Sequence, residues 1–132
     1  MEYKAYKLLF YINAQHSIDN SLENAHLHTF SIGLHLEDKI DDRLIDFNQV
    51  SQLVNNYLEQ YRGVFLNEMA AFKDLIPTIE HMGNLFYDEL KLILTELSYD
   101  LIQLDISENP LQIYSVSDRL YFGNILYEGA LS

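Results

Sequence analysis

The chain contains no cysteine and no tryptophan, only two prolines and five glycines, and eight lysines and arginines against twenty acidic residues. Each shortage excludes something. Without cysteine there is no disulfide framework, no thiolate zinc site and no cysteine nucleophile. A formal net charge of −12 argues against a nucleic-acid partner, because binding by counterion release needs a basic stripe. The cations Lys4, Lys7, Lys39, Arg43, Arg62, Lys73, Lys91 and Arg119 are scattered rather than clustered. The same acidity disfavours anionic lipid surfaces, and no run approaches the ~18 apolar residues of a transmembrane helix, so no membrane partner is expected. The opening Met1-Glu2-Tyr3-Lys4-Ala5 lacks the charged-then-apolar layout of a signal peptide, which makes the cytoplasm the simplest compartment. An anionic substrate would need a local positive focus, which a bound metal supplies.

What is present suffices for one folded domain spanning 1–132. The chain has 132 residues, 48% of them hydrophobic, with ten tyrosines and seven phenylalanines. Apolar residues alternate along 3–17 (Tyr6, Leu8, Phe10, Ile12, Ala14) and again along 26–37 (Phe30, Ile32, Leu34), the period of half-buried strands. A polar turn over 19–24 joins them, and the charged Lys39–Arg43 reads as a loop. From Phe47 the spacing becomes helical, through Val50, Leu53, Val54, Tyr57, Leu58 and Tyr61, until Gly63 breaks it. Residues 64–76 are irregular. Pro77-Thr78 then opens a second helix with Thr78 as N-cap, and its stripe of Ile79, Met82, Leu85, Phe86, Leu90, Ile93, Leu94 and Leu97 reads as core. Gly83 within it costs about 1 kcal/mol relative to alanine, so close packing is its expected reason. A third strand over 100–108 places Ile102, Leu104, Ile106 and Glu108 on one face. Asn109-Pro110 turns the chain into a fourth strand over 111–116, and a tail follows over 120–132. The order ββααββ predicts an α+β fold, a four-stranded antiparallel sheet with two helices on one face.

Histidine placement carries the functional signal. His26 and His28 are two apart on the second strand and therefore point the same way. His16 ends the apolar face of the first strand. If the strands are neighbours, three imidazoles converge at one end of the sheet, and three neutral nitrogen donors with an open position make a catalytic zinc site. A lone histidine on an apolar face is more ordinarily a core residue with a satisfied hydrogen bond. His35 falls on the opposite, polar face with Thr29, Ser31 and Glu37, and His81 lies in a helical pattern, so neither is an expected ligand. Glu108 ends an apolar strand face. Either it is exposed at the strand end, or it anchors a ligand, since a carboxylate accepts two parallel N–H bonds from a guanidine-like edge such as that of a pterin or guanine.

Six phrases in order resemble the 6-pyruvoyl and 6-carboxy tetrahydropterin synthases of the tunnelling fold: Ile12-Asn13-Ala14-Gln15-His16, His26-Leu27-His28, Ile45-Asp46-Phe47, Leu66-Asn67, Pro77-Thr78-Ile79-Glu80 and Ser107-Glu108-Asn109-Pro110. The resemblance runs from about Lys4 to Tyr114. It implies Zn2+ held by His16, His26 and His28, a pterin heterocycle gripped by Glu108, and a lyase acting on 7,8-dihydroneopterin triphosphate or a related pterin in a queuosine or folate pathway. It also implies a homohexamer, a dimer of trimers, with sites at subunit boundaries. There are departures. The family's cysteine before the histidine pair is absent. Glu23 stands where one branch of the family has a glutamate, three residues before the pair, and is the candidate catalytic base. The family's Asp-His dyad has no counterpart in Tyr61-Arg62-Gly63-Val64-Phe65, and Leu27 replaces the glycine between the paired histidines. These departures leave a second reading open, a catalytically silent pterin- or purine-binding member with a scaffolding or regulatory role.

Overall fold

The computed structural model describes residues 5–19, 21–38, 40, 44–122 and 125–128. Alternation yields strands where it was expected: β1 over Tyr6–His16 and β2 over His26–Asp38. They pair antiparallel in one unbroken register, from Tyr6 opposite Leu36 to His16 opposite His26. Tyr3 and Lys4, expected at the start of the first strand, lie outside the described residues, as do Lys39 and residues 41–43 of the expected loop. β3 (Tyr99–Asn109) pairs with β2, and β4 (Gln112–Ser117) with β3, so the sheet order is β1-β2-β3-β4. The tail adds a hairpin that periodicity did not predict, β5 (Arg119–Phe122) with β6 (Ile125–Glu128); 123–124 and 129–132 lie outside the described residues.

The helices begin where capping chemistry permits. α1 (Phe47–Leu58) starts at Asp46, whose side chain accepts the Gln49 N–H at 3.0 Å. α2 (Ile79–Thr95) starts at Thr78, whose hydroxyl accepts the His81 N–H at 3.2 Å. Both caps satisfy an otherwise orphaned N–H of the first turn. Short 3-10 turns at 59–61, 66–68 and 70–72 fill the segment between the helices, and Gly63, at φ +71°, takes the left-handed conformation that glycine adopts without strain.

The core lies between the helices and one sheet face. Val50, Val54 and Leu58 of α1 and Met82, Phe86, Leu90 and Leu94 of α2 meet Ile12, Phe30, Ile32, Leu34, Leu104 and Ile106, all fully or almost fully buried. Gly83 has the packing reason expected of it: an added Cβ would stand 3.0 Å from both Ile106 Cγ2 and Tyr114 Cδ2. Two details depart from simple alternation. Tyr6 is 48% exposed, its ring edge-on to Phe47 at 5.4 Å, outside the core. In β3, a bulge opposite His35 and Leu36 pairs Gln103 with His35 but Leu101 with Leu36. The extra residue, Ile102, is thereby taken off the face of Leu104, Ile106 and Glu108, and Leu101 joins the core instead. Among the described residues no helix is long and apolar enough to cross a membrane.

The opposite sheet face carries a buried polar knot. His35 Nε2 donates to Asp105 Oδ2 at 2.7 Å, while Gln103 Nε2 and Ser115 Oγ donate to Oδ1 at 2.8 and 2.7 Å. Lys7 Nζ stands 3.5 Å from Oδ2. Burial alone would raise the Asp105 carboxyl, but the hydrogen bonds from His35, Ser115 and Gln103 outweigh it and hold the group well below its ordinary 3.8. A carboxyl depressed in the folded state stabilises the fold above pH 3.8, and that contribution is lost as the pH falls through the folded value. Asp105→Ala removes the acceptor of three hydrogen bonds and is expected to cost about 1–3 kcal/mol by urea unfolding at pH 7, with the deficit shrinking below pH 3.8. An unchanged midpoint at pH 7 would contradict this.

Candidate metal centre

The β1–β2 register brings His16 and His28 onto one face at the same end of the sheet. Their rings are nearly perpendicular, with centroids 4.9 Å apart. Phe30 closes the apolar side, its ring 5.3 Å from that of His16. Glu108 arrives from β3, the next strand, and places Oε2 3.1 Å from His16 Nε2 and 3.6 Å from His28 Nε2. One donor atom from each of His16, His28 and Glu108 falls within a mutual 4.8 Å. His26 is not one of the three. It is exposed at the first residue of β2, and its ring centroid lies 6.0 Å from that of His28.

Hydrogen bonding fixes which His16 nitrogen faces the cluster. Nδ1 lies 2.8 Å from the Pro77 carbonyl, which can only accept, so Nδ1 carries a proton. Nε2 faces a carboxylate oxygen 3.1 Å away. With a proton on Nε2 that contact is a hydrogen bond; without one, both atoms are donors to a cation. The donor set therefore fits a metal ion on chemical grounds: imidazole nitrogen and carboxylate oxygen are both ordinary zinc ligands, and the Pro77 carbonyl provides the outer contact that fixes the ring.

The surrounding chain is built to hold this end of β1. Gly63 N–H donates to Asn13 O at 2.6 Å and Gln15 N–H to Val64 O at 2.9 Å, so residues 63–65 lie along β1. Asn67 then mimics a strand partner: its Oδ1 accepts the Ser17 N–H at 2.9 Å and its Nδ2 donates to Ser17 O at 2.8 Å. This gives the Leu66-Asn67 phrase a physical purpose beside His16. Beyond Ser17, Asp19 accepts from Asn24 Nδ2 at 2.6 Å, Ser21 N at 3.0 Å and Ser17 Oγ at 3.3 Å. The Asn24 and Ser21 bonds, in that order, hold its carboxyl below the usual range. Glu23 is exposed on the 3-10 segment Leu22–Asn24.

A cleft of about 310 Å³ opens beside the cluster, lined by His16, Ser17, Ile18, Asp19, Asn24 and His26. His26 is thus a cleft wall in this arrangement. His35 is engaged with Asp105 on the far face, and His81 Nδ1 donates to Ile76 O at 2.6 Å beneath the start of α2. The closeness of Glu108 to His16 was not legible from spacing, since the two residues are 92 apart in the chain and meet only through β2.

The family model for 6-pyruvoyl tetrahydropterin synthase matches residues 6–119. No curated protein sequence matches the chain. Among solved structures, 6-pyruvoyl tetrahydropterin synthase of Caenorhabditis elegans is similar with a TM-score of 0.70 at 18% identity, over 86% of this chain and 94% of that one. An uncharacterized protein from Wolinella succinogenes reaches 0.63 at 13% identity, over 88% of this chain and 99% of the other. The 6-pyruvoyltetrahydropterin synthase of Plasmodium vivax reaches 0.54 at 17% identity, over 86% and 97%. At these identities the structural likeness speaks for the fold.

Asn67→Ala removes the clamp on Ser17 without touching either histidine. Direct outer contacts of a metal ligand are worth about 10–100-fold in metal affinity; Asn67 acts one residue further out, through the Ser17 backbone, so a loss of up to about 10-fold is expected by competition with a chelator, with the far-ultraviolet circular dichroism preserved. Unaltered affinity would show that the clamp does not position His16.

Proposed function

The chain belongs to the 6-pyruvoyl tetrahydropterin synthase family, and on that footing we propose that it is a zinc-dependent lyase acting on 7,8-dihydroneopterin triphosphate or a related pterin. The observation that supports the reading most is the convergence of His16, His28 and Glu108 beside a cleft of about 310 Å³. Zinc bound there supplies Lewis acidity, acidifying side-chain hydroxyls and polarising a developing carbonyl. His16 and His28 are the two histidine ligands on which the reading rests. A third protein ligand completes a catalytic site with one open position, and the chain offers two, His26 and Glu108.

The base is the carboxylate of Glu23. It stands on the 3-10 segment Leu22–Asn24 between β1 and β2, next to the cleft-lining Asn24. Among the similar structures is a Plasmodium vivax 6-pyruvoyltetrahydropterin synthase in which a glutamate is described as the catalytic residue, which supports a carboxylate in that role. Glu23 takes a proton from the substrate side chain as triphosphate or side-chain carbon departs, the part a general base plays when held within reach of the proton. The silent-binder alternative is favoured by one observation. In the stretch lacking the Asp-His dyad, Tyr61 is buried against Phe86, and 63–65 are hydrogen-bonded along β1, so that stretch supplies no acid or imidazole.

We place the working form as a homohexamer of two trimers, in the cytoplasm. Support for assembly comes from β1, an outer strand of the sheet eleven residues long, with Leu9 and Tyr11 55% and 58% exposed. Long unpaired apolar edges are liabilities unless another chain covers them. Light scattering at micromolar concentration should report the hexamer; a monomer would refute the assembly.

Turnover decides the function. Zinc-loaded protein is expected to consume 7,8-dihydroneopterin triphosphate and yield a 6-substituted pterin whose side chain has lost triphosphate or carbon, resolved by fluorescence after chromatography. Glu23→Gln should lower turnover about 10²–10⁴-fold while leaving pterin affinity nearly intact. Pterin binding without turnover in the zinc-loaded wild type would establish the silent reading, and full activity in Glu23→Gln would reject the base.

A further inference from the structure

We infer that Asp19 is the positioning residue for the base: its carboxylate staples the two legs of the turn between β1 and β2 and so fixes where Glu23 stands. This rests on the reading of Glu23 as the base and adds the residue that holds it in place.

The turn needs a staple. Its sequence, Ser17-Ile18-Asp19-Asn20-Ser21-Leu22-Glu23-Asn24-Ala25, contains no proline, so no ring restricts its backbone. Glu23 is exposed, so burial of its own side chain does not set its place; the backbone that carries it does.

Asp19 supplies the restraint. Its Oδ1 accepts from Ser17 Oγ at 3.3 Å and from Ser21 N–H at 3.0 Å, and its Oδ2 accepts from Asn24 Nδ2 at 2.6 Å. Ser17 is the first residue after β1, and Asn24 stands two before β2. One carboxylate thus joins the departing leg to the returning leg. Ser21 and Asn24 also bracket Glu23, and Asn24 N–H closes the short turn onto Ser21 O at 3.2 Å. On its other side Ser17 is held by Asn67 through both backbone groups, at 2.9 and 2.8 Å. The path from Asn67 through Ser17 and Asp19 to Asn24 therefore ties the place of Glu23 to the end of β1 that carries His16. A carboxylate suits the task, because it accepts on both oxygens and obliges the Asn24 amide to present its NH2 group. Asp19 and Asn24 both line the cleft, so the staple sits at the edge of the space where a substrate is turned over. A catalytic group displaced by about 1 Å costs on the order of 10²-fold in rate.

A double-mutant cycle tests this, using zinc-loaded full chain and 7,8-dihydroneopterin triphosphate. Single-turnover conditions read the residual rates of the slow variants, and circular dichroism checks the fold. Asp19→Ala should lower the rate about 10–100-fold with pterin affinity near that of wild type. In the Glu23→Gln background the same substitution should cost nothing further, because its effect runs through a carboxylate already removed. Asp19→Asn should restore most of the rate: its Oδ1 still accepts from Ser21, and its Nδ2 donates to Asn24 Oδ1 once that amide turns over. Zinc affinity, by chelator competition, should match wild type in every variant. A wild-type rate in Asp19→Ala overturns the proposal, as does an equal loss in both backgrounds. Zinc affinity falling in step with the rate also overturns it, since the effect then runs through His16. If Asp19→Ala does not fold, Asn24→Ala removes only the returning leg and carries the same cycle. Turnover by the wild type with Asp19→Ala unimpaired sinks the staple and leaves the function standing. Pterin binding without turnover in the wild type, or full activity in Glu23→Gln, sinks base and staple together.

Discussion

Everything at the candidate centre depends on the register between β1 and β2. Strand side chains alternate with period two, so a slip by one residue would carry His16 to the far face and bury Lys7, Leu9 and Tyr11 under the helices. The pairing that prevents this is the apolar set itself: Ile12 opposite Phe30, Phe10 opposite Ile32 and Leu8 opposite Leu34. Burying those side chains against α1 and α2 is what sets His16 and His28 side by side. The candidate donors are the last polar positions of an otherwise apolar face, and the packing energy of that face positions them.

Burying this end of the sheet imposes a polar cost that the chain meets locally. His16 is only 9% exposed, and its two ring nitrogens are both answered, one by the Pro77 carbonyl and one by Glu108. Pro77 precedes the N-cap of α2, so the helix that covers the core also supplies the outer contact of the site. The far face follows the same rule with a different solution. There His35 and Gln103 are buried, and Asp105 gathers them with Ser115. Both faces therefore carry a histidine against a carboxylate. The core-face cluster in addition sets a second histidine against its carboxylate and lies beside a cleft.

Much of this was legible in the residues, for reasons that can be named. Period-two alternation located β1 and β2 within a few residues, and Thr78 marked the start of α2 because an N-cap is a local device. Gly83 announced a close approach because glycine inside a helix is otherwise unfavourable. One shortfall is local: Gly123-Asn124, between the residues of β5 and β6, is a two-residue hairpin sequence with glycine first, and the weak periodicity around it reads only as a tail. The others are nonlocal. The bulge at Ile102 arises from fitting β3 to β2 and has no signature of its own. Glu108 reaches His16 across an intervening strand, and spacing along the chain cannot report that. The resemblance to the 6-pyruvoyl tetrahydropterin synthases ordered the phrases correctly. It could not say how a chain lacking the usual cysteine and Asp-His dyad arranges the donors that remain.

The central claim is that a metal ion sits between the Nε2 atoms of His16 and His28. Anomalous diffraction at the zinc edge, from crystals of zinc-loaded protein, tests it most directly. The account predicts one strong anomalous peak about 2.0–2.1 Å from both nitrogens. A peak elsewhere, or none at full occupancy of added zinc, would contradict it.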